Sequence, residues 1–557
     1  MEKFEQIIQH ILSQNPQTKR DFDDARRKIC SKLHIPQPSN SKMLVAYQNL
    51  VKKQQIKKSE FFESLFRKAD IRSLSGVAVI TSLIKPYTCP GKCIYCPTEV
   101  RMPKSYIATE PAAARALALN FSPNLQMTRR IDMLEKNGHP VDKIEYILKG
   151  GTWNAYPIKY QYWFILESFK ACNNLTRRKK VPELISYSDL TLEELQQIMD
   201  DEQEYNDKKA THKIIGLTLE TRPDAISPKS IYHMRRQGCT RIELGLQAPD
   251  DKILDLVVRG HSVQQFKDAI FLLRQAGFKV DLHFMPDLPG TTAKHDVEMY
   301  ASLFTDPGFM PDMVKIYPCT VIKTAELSKW YDDGRYTPYD SKALFEALLQ
   351  MKKLTPRYCR ISRLIRDIPT NEIQAGNSIT NLREALQVEM KKRGWICQCL
   401  RCREVGHSQI AITQLSKLAP ILFVDEYETT GGTEYFLSFE DPDRKVVFGF
   451  LRLRLPKYEG DVQKMQALEK ILELGNLDKL AFVRELHTYG QLVGVGQKNA
   501  SASQHKGLGK KLVAEAEKIA KKNGYEKIAA ISGVGVKGYY RKFGYRKMGM
   551  YVGKKLK

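Results

Sequence analysis

Three cysteines at CxxxCxxC spacing constrain this chain more than any other feature. Cys89, Cys93 and Cys96 directly follow a strand-like run at 76–84. Three thiolates hold three irons of a 4Fe-4S cube and leave the fourth iron open for another ligand. In radical chemistry that ligand is S-adenosylmethionine, whose reductive cleavage yields a carbon radical. Taken alone, the spacing also allows a zinc loop or three unrelated cysteines.

The chain after Cys96 continues in alternating strand-like and helix-like runs, which predicts the fold of its central part. The strand-like runs are 76–84, 143–151, 213–219, 240–245, 279–285 and 313–317. The helix-like runs are 111–137, 158–171, 228–237, 263–275 and 293–304. Six such βα units predict an α/β fold with a parallel sheet and right-handed crossovers, here an open, partial (β/α)6 barrel.

Ligand sites on a parallel sheet of this kind lie at the C-terminal ends of the strands. Distinctive residues follow the predicted strands there, and besides the cysteines they are Gly150, Gly151, Glu220, Arg222 and Gln247. A glycine pair is typical of a place where the backbone must approach a ligand closely. We therefore expect these residues to surround a bound cofactor.

A second cysteine triplet, Cys397, Cys399 and Cys402, has CxCxxC spacing. Three thiolates and one further ligand make a structural zinc site, and His407 is a candidate for the further ligand. Stray cysteines in a loop are the alternative. A zinc site here is expected to clamp the barrel to the segment that follows.

The pattern changes from about residue 408, where the strand-like runs are 421–427, 434–439, 446–455, 482–489 and 527–531. A Gln-x-x-Gly-x-Gly turn at 504–509 precedes a predicted helix over 510–522. Such a turn presents free backbone N–H groups and the positive end of the helix dipole to a pyrophosphate. Together with the stretch 538–545, it predicts a GNAT-type acetyltransferase fold. Tyr540 is then either a general acid near the coenzyme A thiolate or a core residue.

The charge of the chain indicates a polyanionic partner. A net charge of +25 and a pI near 9.4 exceed what solubility requires, and nucleic acid is the leading explanation. The segment 1–75 is predicted to be helical and basic, with lysine clusters at 52–53 and 57–58 that can follow a phosphate backbone. A solvated helix surface is the alternative. Four arginines at a spacing of three are expected to face phosphate or the barrel mouth: Arg357, Arg360, Arg363 and Arg366.

The cysteine usage and the start of the chain predict the compartment. Six of the 11 cysteines fall into the two triplets, which indicates metals in a reducing cytosol. The first residues are charged and lack the apolar core of a signal peptide. No run approaches the ~20 apolar residues that span a bilayer. These features predict a soluble, cytoplasmic protein with no membrane partner.

Short motifs occur in a fixed order along the chain. They are CPGKCIYCP, LKGGTWNA, LETRPD and IELGLQ in the barrel, CQCLRCREVGH after it, and ELHTYG, QHKGLG and SGVGVKGYYRKFGY in the acetyltransferase. In that order they resemble the motifs of the Elongator catalytic subunit family, which modifies the wobble uridine of tRNA, and the resemblance covers nearly the whole chain. It implies a basic helical tRNA-binding segment at 1–75, a radical S-adenosylmethionine barrel at 76–395, a zinc clamp at 396–407 and a GNAT-type domain at 408–557.

The resemblance also implies roles for individual residues. Cys89, Cys93 and Cys96 resemble the cluster ligands, and the second triplet resembles the family's zinc cysteines. The residues that match acetyl-CoA contacts are Glu485, Leu486, His487, Thr488, Leu508, Gly509, Lys510 and Tyr540, with Lys143 contacting the same molecule from the barrel side. Lys143 and Tyr540 are expected to be catalytic. One departure is Thr98–Glu99, where many members have a glycine pair, and it leaves the shape of the loop over the cofactor open.

The implied reaction begins with an electron donor reducing the cluster, so that S-adenosylmethionine is cleaved. The resulting radical removes hydrogen from the acetyl methyl of acetyl-CoA, the new carbon radical adds to C5 of the wobble uridine, and thioester hydrolysis leaves a carboxymethyl group. The expected enzyme is a tRNA uridine(34) acetyltransferase, or carboxymethyluridine synthase. The rivals are a protein lysine acetyltransferase with a structural barrel and a non-catalytic RNA-binding scaffold. A homodimer or accessory subunits stay open.

Overall fold

The computed structural model describes residues 2–66, 76–177, 180–183, 186–407, 419–457, 462–489 and 507–556. The strands of the central part are β1 (Ala78–Leu83), β2 (Lys143–Lys149), β3 (Lys213–Thr221), β4 (Arg241–Gln247), β5 (Lys279–Phe284), β6 (Met313–Ile316), β7 (Thr320–Ile322), β8 (Arg360–Arg363) and β9 (Ile373–Gly376). The strands of the C-terminal part are β10 (Ile421–Thr429), β11 (Gly432–Glu440), β12 (Val447–Pro456), β13 (Leu480–Thr488), β14 (Lys527–Ala530), β15 (Arg546–Met548) and β16 (Tyr551–Lys555).

The helices fall into three groups along the chain. The first group is Glu2–Ser13, Lys19–Lys32, Asn40–Lys52 and Glu60–Leu65. The central group is Pro111–Ala118, Pro123–Lys136, Ile158–Asn174, Leu192–Lys208, Pro228–Arg236, Asp251–Leu256, Val263–Gln275, Ala293–Ser302, Leu327–Asp332, Ser341–Leu354, Leu382–Lys392 and Leu400–Arg403. The last group is Val462–Leu472, Leu508–Lys522 and Lys537–Arg541. Within the described ranges, no helix combines the length and the apolar character that crossing a membrane requires.

The central strands form a seven-stranded sheet in the order β1-β2-β3-β4-β5-β6-β8. Each neighbouring pair is parallel, and β1 and β8 are the open edges of a partial barrel. The six predicted strands are confirmed. The prediction of six units was one strand short, because β8 lies in the arginine-rich stretch 357–366, whose conformation the sequence left undecided. Its assignment depends on pairing with β6, which the residue pattern does not reveal.

The predicted helix over 111–137 is wrong in its continuity, since the structure has two helices there. The first ends at Ala118, and Asn120 and Phe121 have positive φ angles of 47° and 55°. Ser122 then caps the second helix by accepting the backbone N–H of Leu125. The residue before a proline avoids the helical conformation, so Pro123 starts a new helix instead of continuing the old one.

The four N-terminal helices pack around a core of their own, as the helical prediction for this segment requires. Four aromatic side chains form its centre, with the rings of Phe22 and Phe66 5.0 Å apart and those of Tyr47 and Phe62 5.2 Å apart. Aromatic pairs at these separations add stability beyond the buried area alone. The lysines at 52–53 and 57–58 are exposed on the outside of this bundle.

The C-terminal strands form a second seven-stranded sheet, in the order β10-β11-β12-β13-β14-β16-β15. Its pairs are antiparallel except β13 with β14, which are parallel. The five predicted strands are confirmed, and the helix Leu508–Lys522 covers the predicted helix at 510–522. A cluster of buried side chains from these strands and this helix forms the core of the acetyltransferase-like unit.

Buried arginines join the two sheets, and the acetyltransferase-like unit packs against the N-terminal ends of the barrel strands. Arg484 of β13 donates to Asp312, just before β6, and to Glu434 of β11, the latter across 2.9 Å. Arg274 from the barrel side and Arg454 of β12 donate to the same Glu434, each across 3.0 Å. All five side chains are fully buried. We call these five residues the interface network.

Two further links extend the interface on either side of this network. Glu485 of β13 accepts from Arg452 across 2.9 Å and from Lys279, the first residue of β5, across 3.3 Å. Arg403, which follows the second cysteine triplet, donates to Glu440 of β11 across 2.7 Å. The segment after the second cysteine triplet therefore contributes one ion pair between the barrel and the acetyltransferase-like unit. The buried charges of the interface network contribute more contacts between the same two units.

We expect Asp312→Ala to destabilise the protein by about 3–5 kcal/mol, because it leaves the Arg484 guanidinium buried without one of its two carboxylate partners. Denaturant unfolding measures the loss. The matched control is Asp443→Ala, because Asp443 is exposed and pairs with the exposed Lys445 across 2.9 Å. Its cost should stay within about 1 kcal/mol. Equal losses in the two variants would contradict a stabilising role for the interface network.

Candidate active site

A cavity of about 750 Å³ runs along the inner face of the partial barrel. Cys89, Cys93 and Cys96 line one end, at the C-terminal ends of the strands. Glu404 and Tyr489 line the other end, next to the last residue of β13. The cavity therefore connects the first cysteine triplet to the acetyltransferase-like unit.

The first cysteine triplet lies in the loop that follows β1. Arg259 Nη1 donates to Cys93 Sγ across 3.4 Å, and the backbone N–H of Gly91 donates to Cys89 Sγ across 3.4 Å. A hydrogen bond from the Cys96 thiol, together with the Arg259 charge, lowers the pKa of Cys93 well below its usual value. Cysteine sulfurs beside a cation and N–H donors suit an iron–sulfur cluster. The three residues fit a 4Fe-4S cluster.

The loop at Thr98 and Glu99 is anchored, although its sequence departs from the family pattern. The backbone N–H of Thr98 donates to the carbonyl of Thr324 across 3.1 Å. Glu99 Oε2 accepts the backbone N–H of Ala108 across 2.8 Å. Further along, Arg366 Nη2 donates to the Ser105 carbonyl across 2.6 Å. These bonds close the loop over the side of the cavity.

The glycine pair after β2 has the backbone conformation that its residue type permits. Gly150 and Gly151 have φ angles of 138° and 91°. A Cβ atom at Gly150 would lie 2.3 Å from Cγ1 of Ile84, so a larger residue does not fit. Thr152, the next residue, brings its hydroxyl to 3.7 Å from Cys89 Sγ. The backbone after β2 therefore passes directly beside the cysteine loop.

Two cavity-lining side chains carry buried polar atoms without partners. Arg222 donates from Nε to Asp224 across 2.9 Å, but its Nη1 has no hydrogen-bond partner among the described residues. Gln247 Oε1 is buried and equally unpaired within the described part of the chain. A buried unpaired group is costly unless a ligand satisfies it. The α-carboxylate of S-adenosylmethionine offers an acceptor to Arg222, and its α-amino group offers a donor to Gln247, so the residues fit this cofactor.

A network of charges crosses the middle of the inner face, where neighbouring strands place their side chains together. Glu243 of β4 accepts from Lys149 of β2, from Lys315 of β6 and, across 3.3 Å, from His283 of β5. Glu220 of β3 also pairs with Lys149, at 3.9 Å. Burial lowers the pKa of Lys315 to about 8, although Glu243 opposes the shift. Of these five residues, only Glu220 is among those predicted from the sequence to surround the cofactor.

Three of the four regularly spaced arginines line the cavity, which matches their expected position at the barrel mouth. Arg360 of β8 donates to Glu404 across 2.6 Å, and Arg366 pairs with Glu110 across 2.7 Å. Arg363 lines the same wall between them. Arg357 points elsewhere and donates to the Arg444 carbonyl across 2.8 Å.

The residues expected to contact acetyl-CoA lie where β13 and β14 separate. The parallel pairing ends at Val483 with Ala530, whereas β13 continues to Thr488. The backbone of 485–488, which carries Glu485, Leu486, His487 and Thr488, therefore has no β14 partner. Gly507 has a φ angle of 89° and precedes the helix that starts with Leu508, Gly509 and Lys510. The free N–H groups of this first turn suit a pyrophosphate. Residues 504–506 of the predicted turn lie outside the described residues.

Tyrosines 539 and 540 differ in what they contact. A Cβ atom at Gly509 would lie 2.2 Å from the Tyr539 hydroxyl, so Tyr539 touches the first turn of the helix Leu508–Lys522. Tyr540 is only 6% exposed and packs in the core against Tyr545, with ring centroids 5.6 Å apart. Tyr539 was not among the residues predicted from the sequence to contact acetyl-CoA, although it is adjacent to Tyr540 in the same motif. The catalytic role of Tyr540 stays a prediction.

Lys143 lies at the edge of the barrel that faces the acetyltransferase-like unit. It begins β2, is exposed, and pairs in register with Lys213 of β3. Lys213 contacts the backbone at Gly535, in the acetyltransferase-like unit. Lys143 shares one face of the strand with Glu145 and Lys149. This position suits a contact with acetyl-CoA from the barrel side, and the contact stays a prediction.

The second cysteine triplet forms a compact group, but His407 is not part of it. The Sγ atoms of Cys397, Cys399 and Cys402 all lie within 4.8 Å of one another. Zinc–sulfur bonds of about 2.3 Å place tetrahedral thiolates about 3.8 Å apart, so the group fits one zinc ion. His407 instead pairs with Glu404, at 3.6 Å, and lines the cavity. The candidate further ligand His407 is therefore not brought to the three thiols in this structure.

Family models match three stretches of the chain. The Radical SAM superfamily model matches residues 83–303, the Radical_SAM C-terminal domain model matches 311–392, and the acetyltransferase (GNAT) family model matches 482–545. Together they include most residues that line the inner-face cavity and part of the unit at its far end.

Curated proteins match this chain over most of its length. A tRNA uridine(34) acetyltransferase from Methanocaldococcus infernus is 40% identical, over 99% of this chain and 98% of that protein. Human Elongator complex protein 3 is 37% identical, over 87% of this chain and 85% of that protein. The solved structure of Methanocaldococcus infernus Elp3 with an N-terminal deletion has a TM-score of 0.70 and 38% identity, and covers 86% of this chain and 99% of that one.

A carboxyl group in the loop after β5 and another in the helix Ala293–Ser302 are both buried at the rim of the barrel. The backbone N–H of Asp287 donates to Asp296 Oδ2 across 2.6 Å, and the backbone N–H of Tyr339 donates to Asp287 Oδ1 across 3.0 Å. Burial raises the pKa of Asp287 to about 7 and that of Asp296 to about 6.

We expect the stability of the protein to fall as the pH rises through about 6–7. The folded state binds these protons more tightly than the unfolded chain, so their contribution is complete below about pH 4 and is lost above the folded pKa values. Asp287→Asn resembles the protonated acid and tolerates the positive φ of 68° at this position. Melting temperatures between about pH 5 and 8 should therefore fall less steeply in this variant than in the unmodified protein. A parallel decline in both would refute the assignment, and Asp443→Asn, at an exposed position, is the control.

Proposed function

Because the chain belongs to the family of tRNA uridine(34) acetyltransferases and Elongator complex protein 3, we propose that it builds a carboxymethyl group on C5 of the wobble uridine in tRNA. It is a radical S-adenosylmethionine enzyme with an acyltransferase domain. The observation that supports the proposal most is the single cavity from the first cysteine triplet to the end of β13. Two independent activities would not need one shared cavity.

The residues at the cysteine end bind and orient. Cys89, Cys93 and Cys96 hold the 4Fe-4S cluster, and Arg222 and Gln247 hold S-adenosylmethionine against it. When bound, the cluster and this cofactor supply a deoxyadenosyl radical that can remove hydrogen from a methyl group. The backbone at Gly150 and Gly151 passes close enough to the cysteine loop to shape this pocket, and Glu220 borders it.

The residues at the far end position acetyl-CoA. The edge of β13 at 485–488 that lacks a β14 partner offers strand-like hydrogen bonds to the pantetheine arm. The first turn of the helix Leu508–Lys522 offers N–H groups to the pyrophosphate. Lys143 reaches the same molecule from the barrel, and Tyr540 or its neighbour Tyr539 donates a proton to the departing thiolate. Between the two ends, Lys315 pairs with Glu243, and burial lowers the pKa of Lys315 to about 8.

Further components follow from the same proposal. The second cysteine triplet binds zinc as a structural ion, an electron donor reduces the cluster, and the basic N-terminal bundle binds tRNA through its phosphates. Accessory subunits or a second copy of the chain are partners of the same proposal, since Elongator complex protein 3 is by its name part of a complex.

A protein lysine acetyltransferase with a structural barrel is the second candidate. It would not need thiols set among cations, nor the unpaired Arg222 and Gln247 atoms at the barrel mouth. The +25 net charge of the chain also favours a nucleic-acid substrate.

The proposal is tested by incubating the protein with tRNA, dithionite, S-adenosylmethionine and acetyl-CoA, followed by nucleoside analysis. We expect Cys93→Ser to abolish carboxymethyluridine, because one cluster ligand is lost, and to leave acetyl-CoA binding unchanged. The control is Cys172→Ser, since Cys172 is buried in the barrel core away from the cavity. Full product from Cys93→Ser would reject the radical route and favour the lysine acetyltransferase.

The same assay separates the roles at the far end. Lys143→Ala and Tyr540→Phe should lower the product while deoxyadenosine release continues, because neither residue touches the cluster. Tyr539→Phe is the matched comparison. A larger loss in Tyr539→Phe than in Tyr540→Phe would move the proton-donating role to Tyr539, and unchanged product in all three would remove this end from the reaction.

We expect the N-terminal bundle to contribute tRNA affinity through phosphate contacts. Each lost contact should flatten the slope of log K against log salt by about 0.7–0.9. In the N-terminal variant, four exposed lysines are replaced with Ala, namely Lys52, Lys53, Lys57 and Lys58. The control removes equal charge from the helix Leu508–Lys522 by replacing Lys511, Lys518, Lys521 and Lys522. An equal slope in the N-terminal variant and the unmodified protein would assign these lysines to the solvated surface.

A further inference from the structure

The second cysteine triplet has positively charged neighbours that the proposed zinc site does not by itself explain. The triplet packs with the barrel core, and Cys399 is fully buried. The helices Ser341–Leu354 and Leu382–Lys392 each contribute a cationic side chain near the thiols, namely Lys352 and Arg383. Both carry a nitrogen that is buried and unpaired within the described ranges.

Lys352 is the more unusual of the two. Its side chain is 0% exposed, and its Nζ has no hydrogen-bond partner among the residues that the structure describes. Its charge lies within electrostatic range of all three thiols. A buried ammonium without a counter-charge is strongly unfavourable, and real proteins pair such a group or do not keep it.

Arg383 repeats the pattern from the next helix. Its Nη2 donates to the Ile361 carbonyl across 3.2 Å, while its Nη1 is buried and lacks a partner within the described part of the chain. Its charge also acts on all three thiols. The charges of both side chains therefore act on the same three sulfurs.

The charge of a metal-bound triplet explains these donors. Neutral thiols are weak acceptors and carry no charge that could balance an ammonium. Three thiolates around a divalent zinc ion have a net charge of −1, which one buried ammonium cancels. Thiolate sulfurs bound to a metal also accept N–H hydrogen bonds, and such outer partners commonly tune the affinity of a site.

We propose that Lys352 is the charge partner of a zinc ion held by Cys397, Cys399 and Cys402, with Arg383 as a second N–H donor to the same sulfurs. The inference rests on the proposed zinc site and goes beyond it. It explains how the charge of a zinc site with three protein thiolates is balanced. His407, the histidine that follows the triplet in the chain, is not available as a ligand because it pairs with Glu404. Lys352 is a positioning residue, since it acts on the metal through the sulfurs.

The first test measures zinc affinity by competition with a chromogenic chelator. Lys352→Met keeps the length and the apolar stem of the side chain but removes the charge. It should weaken zinc binding by about 10–100-fold. The control is Lys353→Met on the same helix, because Lys353 is exposed, with its ammonium 4.4 Å from the centre of the Trp395 ring. The control should bind zinc as the unmodified protein does. Equal affinities for all three proteins would overturn the proposal.

The second test distinguishes charge compensation from packing. Melting temperatures are measured for the unmodified protein and Lys352→Met, each with zinc and after chelation. We expect Lys352→Met to melt at or above the unmodified protein without metal, because an unpaired buried charge is gone, and below it with metal. A packing role would lower both melting temperatures equally, and that result would contradict the inference.

The metal content of Cys399→Ser separates failure of the inference from failure of the zinc site itself. If Cys399→Ser retains as much tightly held zinc as the unmodified protein, the triplet is not the zinc site and both statements fall. If Cys399→Ser loses zinc while Lys352→Met keeps full affinity, the site stands and the role of Lys352 is rejected.

Discussion

Burial of opposite charges between the barrel and the acetyltransferase-like unit is the constraint on which the arrangement of the active site depends. Glu434 accepts from three arginines, and Asp312 shares one of them. Because each of these side chains is fully buried, a displacement of either unit would leave a charge without its partner. The network holds β13 against the N-terminal ends of the barrel strands. The cavity along the inner face therefore ends at Tyr489, directly after the segment 485–488 that is expected to contact acetyl-CoA.

The sequence predicted strands correctly where apolar residues mark them, and it missed a strand that is recognisable only from the strand it pairs with. Six barrel strands and five acetyltransferase strands follow from apolar runs bounded by turn residues, and each lies where it was expected. The strand β8 did not follow, because a stretch rich in arginine shows its conformation only when it pairs with β6. The break between the helix that ends at Ala118 and the helix that starts at Pro123 was also missed. Here the signal is local, because Pro123 disfavours a helical conformation in the residue before it, but the helical pattern on both sides was given more weight.

The candidate site was predictable where one short motif carries it. The two cysteine triplets have spacings that predict metal centres, and the structure keeps each triplet together in one loop or turn. The Lys149–Glu243–Lys315 network was not predictable, because its members come from three strands far apart in the chain. The position of His407 shows the same limit, since nearness in sequence to the cysteines did not bring its ring to them.

The central claim is that the cysteine end and the acetyl-CoA end of the cavity serve one reaction. The most direct measurement uses acetyl-CoA with deuterium in its methyl group, together with tRNA, S-adenosylmethionine and a reductant. If one reaction joins the two ends, hydrogen leaves the acetyl methyl for the deoxyadenosyl group, so the released deoxyadenosine should carry deuterium. Carboxymethyluridine that forms while the deoxyadenosine stays unlabelled would contradict the account.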